Sequence, residues 1–404
     1  MIKLNNTPSA NRVHIAIYGK TNAGKSSLLN AIIGQEVSLV SHVEGTTTDP
    51  VNKPMELIPL GPVVFIDTAG LGDTGELGEL RVKRSLKVLQ RTDFAIYVMD
   101  INDIDIEKYN ESIRNFKKHN IPYMTVINKI DTVSNEKINE LKKRFKDAMF
   151  VSAAKEENIL KLKDELIKRI KQEEEEETII GDLLPYNSKI IMVVPIDSEA
   201  PKGRIILPQV QLIRDSLDHG IKSYVVRDTE LASALKDIKD VDLVVTDSQA
   251  FKRVSEIVPK SIKLTGFSTL FARYKGDLKT LVEGVEKTKE LNENSKILIS
   301  ESCTHNCSYE DIGRVKIPRL LNKHTGLNLN YTFKGGHDFP DDLEEYDLVI
   351  HCGSCMLNKK TMQTRIDMCV EKGVKITNYG VILAYLNGIL DRSLEIFNIK
   401  LNKN

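Results

Sequence analysis

Short apolar runs recur from one end of the chain to the other. Val13–Tyr18, Val63–Ile66, Phe94–Asp100 and Tyr123–Ile127 fall in the first part. Ile190–Pro195, Ser223–Arg227, Leu243–Thr246, Ile297–Ser300 and Leu348–Ile350 follow. Their length and β-branched content predict strands buried on both faces. Between them lie stretches with helical spacing, among them Glu79–Gln90 and Gln209–Asp218. In the second of these, Val210, Ile213 and Leu217 fall on one face. Strand and helix alternating in this way predict an α/β chain with mostly parallel sheets.

Two polar interruptions divide the pattern. The first is the run Gln172–Glu177, which closes a charged amphipathic helix beginning near Asn158 and reads as a solvated helix end or linker. The second is the stretch Lys287–Lys296. Three domains are expected, at residues 1–172, 178–272 and 280–404, and a chain of 404 residues is long enough for them.

Lys+Arg and Asp+Glu balance at 57 each, so no net field recruits nucleic acid or a membrane surface. The opening MIKLNNTPSANR has no apolar stretch, and no run approaches the roughly 18 residues that span a bilayer. The expectation is a cytoplasmic protein. All five cysteines lie beyond residue 300, an odd and clustered set that suggests metal or redox chemistry rather than a disulfide framework.

The first strand runs directly into Gly19-Lys-Thr-Asn-Ala-Gly24-Lys25-Ser26, and Ser27–Ile33 reads as a helix. This strand–loop–helix is the phosphate-loop pattern. Glycines let backbone amides, including those around Asn22 and Ala23, wrap the phosphates at a helix N-terminus. Lys25 is placed to neutralise the β- and γ-phosphates, and the Ser26 hydroxyl to ligate Mg²⁺. Three further segments each follow a predicted strand. Asp67-Thr-Ala-Gly70 brings a carboxylate toward the metal and a glycine amide toward the γ-phosphate. Asn128-Lys129-Ile130-Asp131 carries a carboxylate able to accept from guanine N1–H and its 2-amino group, a pairing that adenine lacks. Ser152-Ala153-Ala154 offers a backbone amide to the guanine carbonyl. All four lie where an open α/β sheet binds ligands. The expectation is a domain that binds GTP/GDP with Mg²⁺ and hydrolyses GTP.

The second chemical cluster is at the far end of the chain. Cys303-Thr-His305 follows the strand Ile297–Ser300, and His351-Cys352-Gly-Ser-Cys355 follows Leu348–Ile350. Both leave strand ends of the same kind and can meet at one crevice. Cys303, Cys352 and Cys355 can hold three corners of a [4Fe–4S] cubane, with His305, His351, Asp311 or an exogenous group at the fourth. The same residues suit tetrahedral zinc equally well, and residue chemistry leaves both readings open. Cys307 and Cys369 fit neither motif and read as buried or incidental thiols.

The N-terminal motifs resemble the translation-factor-like GTPases of the Era and TrmE group. On that resemblance Gly45-Thr46-Thr47-Thr48-Asp49 is the first switch, with Thr47 a second Mg²⁺ ligand, although Thr48 stands where the group usually has Arg. Leu71 occupies the place of a water-orienting glutamine, which implies slow intrinsic hydrolysis. Asn22 matches the asparagine that accompanies K⁺ in TrmE-like proteins, so K⁺ is expected to stimulate turnover. Cys-x-His, a long spacer and His-Cys-x-x-Cys, joined to such a domain, resemble the [FeFe]-hydrogenase maturation GTPases of the HydF family. The segments Val193–Arg204 and Leu207–Gln211 resemble that family's middle domain.

The resemblance implies a scaffold or carrier that binds a [4Fe–4S] cluster on Cys303, Cys352 and Cys355, with Asp311 the first choice for the exchangeable fourth position. It further implies a transient di-iron subcluster, radical-SAM maturases and apo-[FeFe]-hydrogenase as partners, and a homo-oligomer, dimer or higher. A ribosome- or RNA-associated GTPase with a structural zinc domain is the rival expectation. The neutral charge and the lack of a basic stripe weigh against it. A redox-sensing switch, in which the thiols report oxidation to the GTPase, is a third.

Overall fold

The computed structural model describes residues 11–34, 51–68, 87–173, 178–196, 203, 205–302, 311–336, 338–354 and 357–400. The chain divides into two compact units, Met1–Glu175 and Glu176–Asn404. Among the described residues, fourteen strands form three sheets.

In the first unit β1 (Val13–Tyr18), β2 (Val51–Leu57), β3 (Gly61–Asp67), β4 (Phe94–Asp100), β5 (Tyr123–Asn128) and β6 (Met149–Phe150) lie in the order β2-β3-β1-β4-β5-β6. Neighbours pair in parallel except β2, which runs antiparallel to β3 from Val51↔Asp67 to Leu57↔Gly61. The apolar runs are unbroken because alternate residues serve opposite faces. Ile15, Phe65, Ile96 and Val126 pack with Leu28, Leu29, Ile32, Leu162 and Leu166 on one side. Ala16, Ile66, Tyr97 and Ile127 pack with Phe116 and Val88 on the other.

The second unit holds two parallel sheets. The first contains β7 (Lys189–Val193), β8 (Lys222–Val226), β9 (Leu243–Thr246) and β10 (Lys263–Gly266), in the order β10-β9-β7-β8. The other contains β11 (Lys296–Glu301), β12 (Asn330–Gly335), β13 (Leu348–His351) and β14 (Lys375–Asn378), in the order β12-β11-β13-β14. The two are joined closely. Helix Phe267–Lys275 leaves β10 and meets the C-terminal helices, where the Thr265 hydroxyl donates to Ser393 O at 2.8 Å and Thr269 Oγ1 lies 2.9 Å from Ser393 Oγ. Gly380 is required at this crossing, since a Cβ there would sit 2.2 Å from Ser268 Oγ. After helix Leu390–Leu394 the chain places Ile396 in the same core as Leu243, Val245 and Leu270 of the middle sheet. Arg392 donates to Ser255 O at 2.6 Å and Val258 O at 2.7 Å, fixing that return.

The fold class is the α/β architecture with mostly parallel sheets that the pattern predicts. One helix differs from its sequence reading. Helix Leu207–Asp218 covers its sheet with Gln209, Leu212 and Ser216, while Val210 and Leu217 are exposed at 48% and 67%. Of its apolar stripe only Ile213 packs against the core, while Val210 and Leu217 face away from it.

Candidate functional site

β1 ends at Tyr18, and the next eight residues wrap the N-terminus of helix Lys25–Ile33. The loop closes tightly because Gly19 and Gly24 take positive φ. A Cβ on Gly19 would lie 2.2 Å from Val98 O, and one on Gly24 would lie 2.3 Å from Asn128 Nδ2. Asn22 also adopts positive φ, at 65°. The buried Lys25 ammonium donates to Gly19 O at 2.8 Å and Lys20 O at 2.9 Å, so it lies over the loop it closes.

Ser26 Oγ donates to Asp67 Oδ2 at 2.7 Å across the β1–β3 pair. Asp67 is buried, and among the described residues its other oxygen, Oδ1, has no hydrogen-bond partner. A buried carboxylate oxygen without a donor is costly, and a divalent cation answers that cost. The Ser26–Asp67 pair therefore fits Mg²⁺.

The segments Asn128–Asp131 and Ser152–Ala154 converge on the same edge. Asn128, buried at the end of β5, donates from Nδ2 to Ala23 O at 3.1 Å and accepts from the Ala153 amide at 3.0 Å. One side chain thus ties the phosphate loop to the Ser152–Ala154 loop. Lys129 donates to Asn22 O and to Asp100 Oδ2, both at 2.7 Å. Burial by itself would raise the Asp100 carboxyl, but bonds from Lys129 and Asn102 outweigh it and hold it below the usual carboxylate range. Asp131 is oriented by Ser152, whose hydroxyl donates to Oδ1 at 2.6 Å and lowers the carboxyl's pKa. Thr47 and Gly70 lie outside the described residues, as do the rest of the first switch and Leu71.

At the other end of the chain, Cys352 follows β13, the strand beside the central β11. Its thiol is buried, accepts from the Ser302 amide at 3.0 Å and shares a hydrogen bond with the Ser302 hydroxyl at 2.9 Å. His351 is fully buried. Its Nδ1 donates to Cys352 O at 2.9 Å, so Nε2 carries the lone pair, and Arg365 donates to it at 2.7 Å. Burial, with the Arg365 charge adding to it, pushes the imidazole down to about 3. Both ring nitrogens are engaged, and in this arrangement His351 braces the loop. Arg365 also donates to Gly336 O at 2.8 Å and lies over the Phe339 ring at 4.9 Å. Burial lowers it to about 10, so it is charged at neutral pH.

Asp311 caps the turn beginning at Ile312, accepting from Arg314 N at 2.7 Å. Tyr379 stands nearby, and burial, with the Cys352, Glu301 and Asp311 charges, raises its phenol well above the ordinary range. Cys369 is buried within helix Lys359–Glu371, and burial pushes its thiol up to about 12, as befits a packing residue. Cys303, His305, Cys307 and Cys355 lie outside the described residues. Among the described residues no three Cys, His, Asp or Glu side chains converge as a metal site.

Sequence reasoning did not find Asp100, Ser302, Arg365 or Lys275, whose ammonium donates to Ser354 O at 2.9 Å and Leu357 O at 3.0 Å. Asp100 ends a predicted strand at the sheet edge that carries the other loops, which is a usable signal. The last three act across long stretches of chain and leave no local mark.

The first unit is, by fold and loops, a P-loop domain of the GTPase class. A family model described as 50S ribosome-binding GTPase matches residues 14–129. Two more match the second unit: the hydrogen maturase F dimerization domain over 179–276 and the hydrogen maturase F tetramerization domain over 279–396. Those two together cover more than half of the chain, and the chain belongs to the hydrogen maturase F family. Similar curated proteins match the first unit. The tRNA modification GTPase MnmE of Caldicellulosiruptor saccharolyticus is 36% identical over 152 residues, 36% of this chain and 32% of the relative. GTPase Der of Wolinella succinogenes is 37% identical over 171 residues, 39% of this chain and 35% of its own length. The chain thus spans about a third of each of these curated relatives. A crystal structure of Aquifex aeolicus Era bound to GDP·AlF4⁻ aligns with TM-score 0.34 at 20% identity, over 53% of this chain and 93% of that one. Family models named for dimerization and tetramerization support a homo-oligomer. No described helix is long and apolar enough to cross a membrane.

Proposed function

We propose that this protein hydrolyses GTP and serves as a cytoplasmic scaffold that binds a [4Fe–4S] cluster and assembles or delivers a di-iron subcluster to apo-[FeFe]-hydrogenase. The cargo would be built with radical-SAM maturases. Three working parts follow: nucleotide binding in 1–172, pairing of chains in 178–272, and cluster binding in 280–404.

In the first part, the amides of Gly19–Ser26 and the Lys25 ammonium bind the phosphates, with Gly70 adding an amide at the γ-phosphate. Ser26 and Asp67 hold Mg²⁺, joined by Thr47. When bound, Mg²⁺ spreads the charge that develops on the phosphate oxygens. Asp131, Asn128 and the Ser152–Ala154 loop select guanine. Asn22 holds K⁺, which takes the place of an arginine finger. In the last part Cys303, Cys352 and Cys355 bind the cluster. Asp311 is the first choice for the fourth position, followed by His305 and His351. GTP hydrolysis gates contact with partners rather than powering the iron chemistry.

The observation that carries the cluster reading is the Cys352 thiol at a strand's carboxyl end with the Ser302 N–H donating to its sulfur and the Ser302 hydroxyl 2.9 Å from it. Hydrogen bonds to cluster sulfurs are a means by which proteins stabilise iron–sulfur centres. The test is iron, sulfide and zinc analysis with EPR on anaerobically reconstituted protein. About four irons and four sulfides, with a reduced cubane signal lost in Cys303→Ala, would support the reading. Stoichiometric zinc with no iron uptake would remove it and favour an RNA-associated GTPase with a structural zinc domain.

A further inference from the structure

Strand order places one segment beside both halves of the nucleotide site. β4 lies between β1, which leads into the phosphate loop, and β5, which leads into Asn128–Asp131. All three run parallel, so residues 100–105, which follow β4, leave the sheet between the other two loops. Their backbone is fixed along its length. Ile101 N donates to Asn128 O at 3.1 Å, and Asp103 N donates to Asp100 O at 3.0 Å, closing a turn. Asp105 then caps helix Ile106–Lys118 by accepting from Lys108 N at 3.1 Å.

The side chains of this segment reach to both sides. Asp100 is in register with Asn128 on the neighbouring strand, and its Oδ2 accepts from Nζ of the next residue, Lys129, at 2.7 Å. Asp100 Oδ1 accepts from Asn102 N at 2.9 Å and Asn102 Nδ2 at 3.1 Å, which holds the carboxylate in one orientation. Asn102 Nδ2 also donates to Thr132 Oγ1 at 2.8 Å, and the Thr132 hydroxyl donates to Lys129 O at 2.8 Å. On the other side, Asp103 pairs with Lys20 of the phosphate loop.

Lys129 needs this support. Its backbone lies in the left-handed region at φ 67°, a conformation that a residue with a Cβ adopts at a cost. Its ammonium reaches back to Asn22 O at 2.7 Å. A lone carbonyl is a weak anchor for a long side chain with much rotamer freedom to lose. A carboxylate adds a charge-assisted bond and fixes the ammonium between two oxygens. With side-chain exposures of 34% for Lys129 and 17% for Asp100, water screens the pair only in part.

We propose that Asp100 is a positioning residue for guanine nucleotides, holding Lys129 against the phosphate loop so that both loops meet the ligand as one preformed surface. Asn102 orients Asp100, and the Asp103–Lys20 pair is a second tie from the same segment. The proposal rests on the reading of Asn128–Asp131 as the guanine loop. A preformed surface spares the ligand the cost of ordering it, so losing Asp100 lowers affinity rather than turnover at saturation.

The experiment uses the full chain carrying Asp100→Ala, Asn102→Ala, Lys129→Met, or Asp100→Ala together with Lys129→Met. Fluorescent-GDP titration gives the Kd, steady-state GTP hydrolysis gives KM and kcat, and far-UV circular dichroism checks folding. Asp100→Ala is expected to bind GDP about tenfold more weakly and to raise KM by a similar factor, with kcat held within about twofold. Asn102→Ala should lose about threefold in affinity. Because Asp100 acts through Lys129, the double variant should bind no more weakly than Lys129→Met alone. Unchanged affinity in Asp100→Ala, a fall confined to kcat, or losses that multiply in the double variant would overturn the proposal. Should Asp100→Ala fail to fold, Asn102→Ala decides: weaker binding by the folded protein supports the proposal, and unchanged binding overturns it. Wild-type affinity in Lys129→Met would instead remove the guanine-loop reading, and this proposal with it.

Discussion

Replacing Asn128 by alanine removes one side chain and separates two loops. The amide group is buried at the end of β5, where it donates to Ala23 O at 3.1 Å and accepts from the Ala153 amide at 3.0 Å. Alanine leaves a carbonyl and an N–H facing each other in a dry space. Each buried group left unpaired costs about 1–3 kcal/mol, so about 3 kcal/mol is a conservative total for the pair. For a unit of this size, each kcal/mol lowers the melting temperature by about 2–4 °C, giving a fall of roughly 6–12 °C. Differential scanning calorimetry of the full chain measures it. The relevant transition is the one that added GDP shifts upward, because only the unit that binds ligand gains from it. Affinity for GDP should fall in the same variant, since the phosphate loop and the Ser152–Ala154 loop lose their tie. Asn128→Asp should be worse, because it keeps the acceptor for Ala153 but sets an anionic oxygen against the Ala23 carbonyl. A loss under about 2 °C in Asn128→Ala would refute the reasoning, since neither bond would then be contributing.

His351 makes the second unit sensitive to acid. Its folded pKa of about 3 lies below the ordinary 6.5, so the unfolded chain binds one proton more between those values. Stability is full above pH 6.5 and falls toward pH 3, by up to about 1.4 kcal/mol per pH unit. Denaturant midpoints across that range should show the slope, and the same slope in His351→Gln would refute it. Asp131 is held below its ordinary pKa chiefly by the Ser152 hydroxyl, so guanine binding is present above that pKa and lost as pH falls through it. Ser152→Ala should therefore move the acid limb of GDP binding to higher pH, read by fluorescent-GDP titration where circular dichroism is constant. An unmoved limb would rule out this role for Ser152. For the cation at Asn22, GTP turnover is expected to be faster in K⁺ than in Na⁺ at equal ionic strength, and equal rates would refute the assignment.

The nucleotide site was legible in the sequence because its parts are local. Gly19–Ser26 is contiguous, each further loop leaves a strand of unbroken apolar residues, and such strands admit few alternatives. Strand β2 was not legible, since VNKPMEL is polar at half its positions and carries a proline, both tolerable only on a sheet edge. Strands β10 and β14 carry one aliphatic residue each in KLTG and KITN, whereas the equally short β9 and β13 carry three each in LVVT and LVIH and stand out. The stripe Val210, Ile213 and Leu217 shows the limit of periodicity: Ile213 packs against the core while Val210 and Leu217 are exposed, so spacing announces an apolar face but not how much of it the chain covers. Arg365 and Lys275 were invisible for a different reason. Lys275 meets the cysteine loop from 79 residues away, and only the packing of two sheets decides that meeting.

The return of the chain's end to the middle sheet bears on how the protein is made. Ile396 completes the core around Leu243, Val245 and Leu270, and Arg392 ties the segment to Ser255 and Val258. A domain emerging from the ribosome folds as a unit only once its own residues are available. The middle sheet cannot finish its core until Arg392 and Ile396 have been synthesised, although all its strands are made long before. Its apolar surface therefore stays open throughout translation of the cysteine-bearing domain.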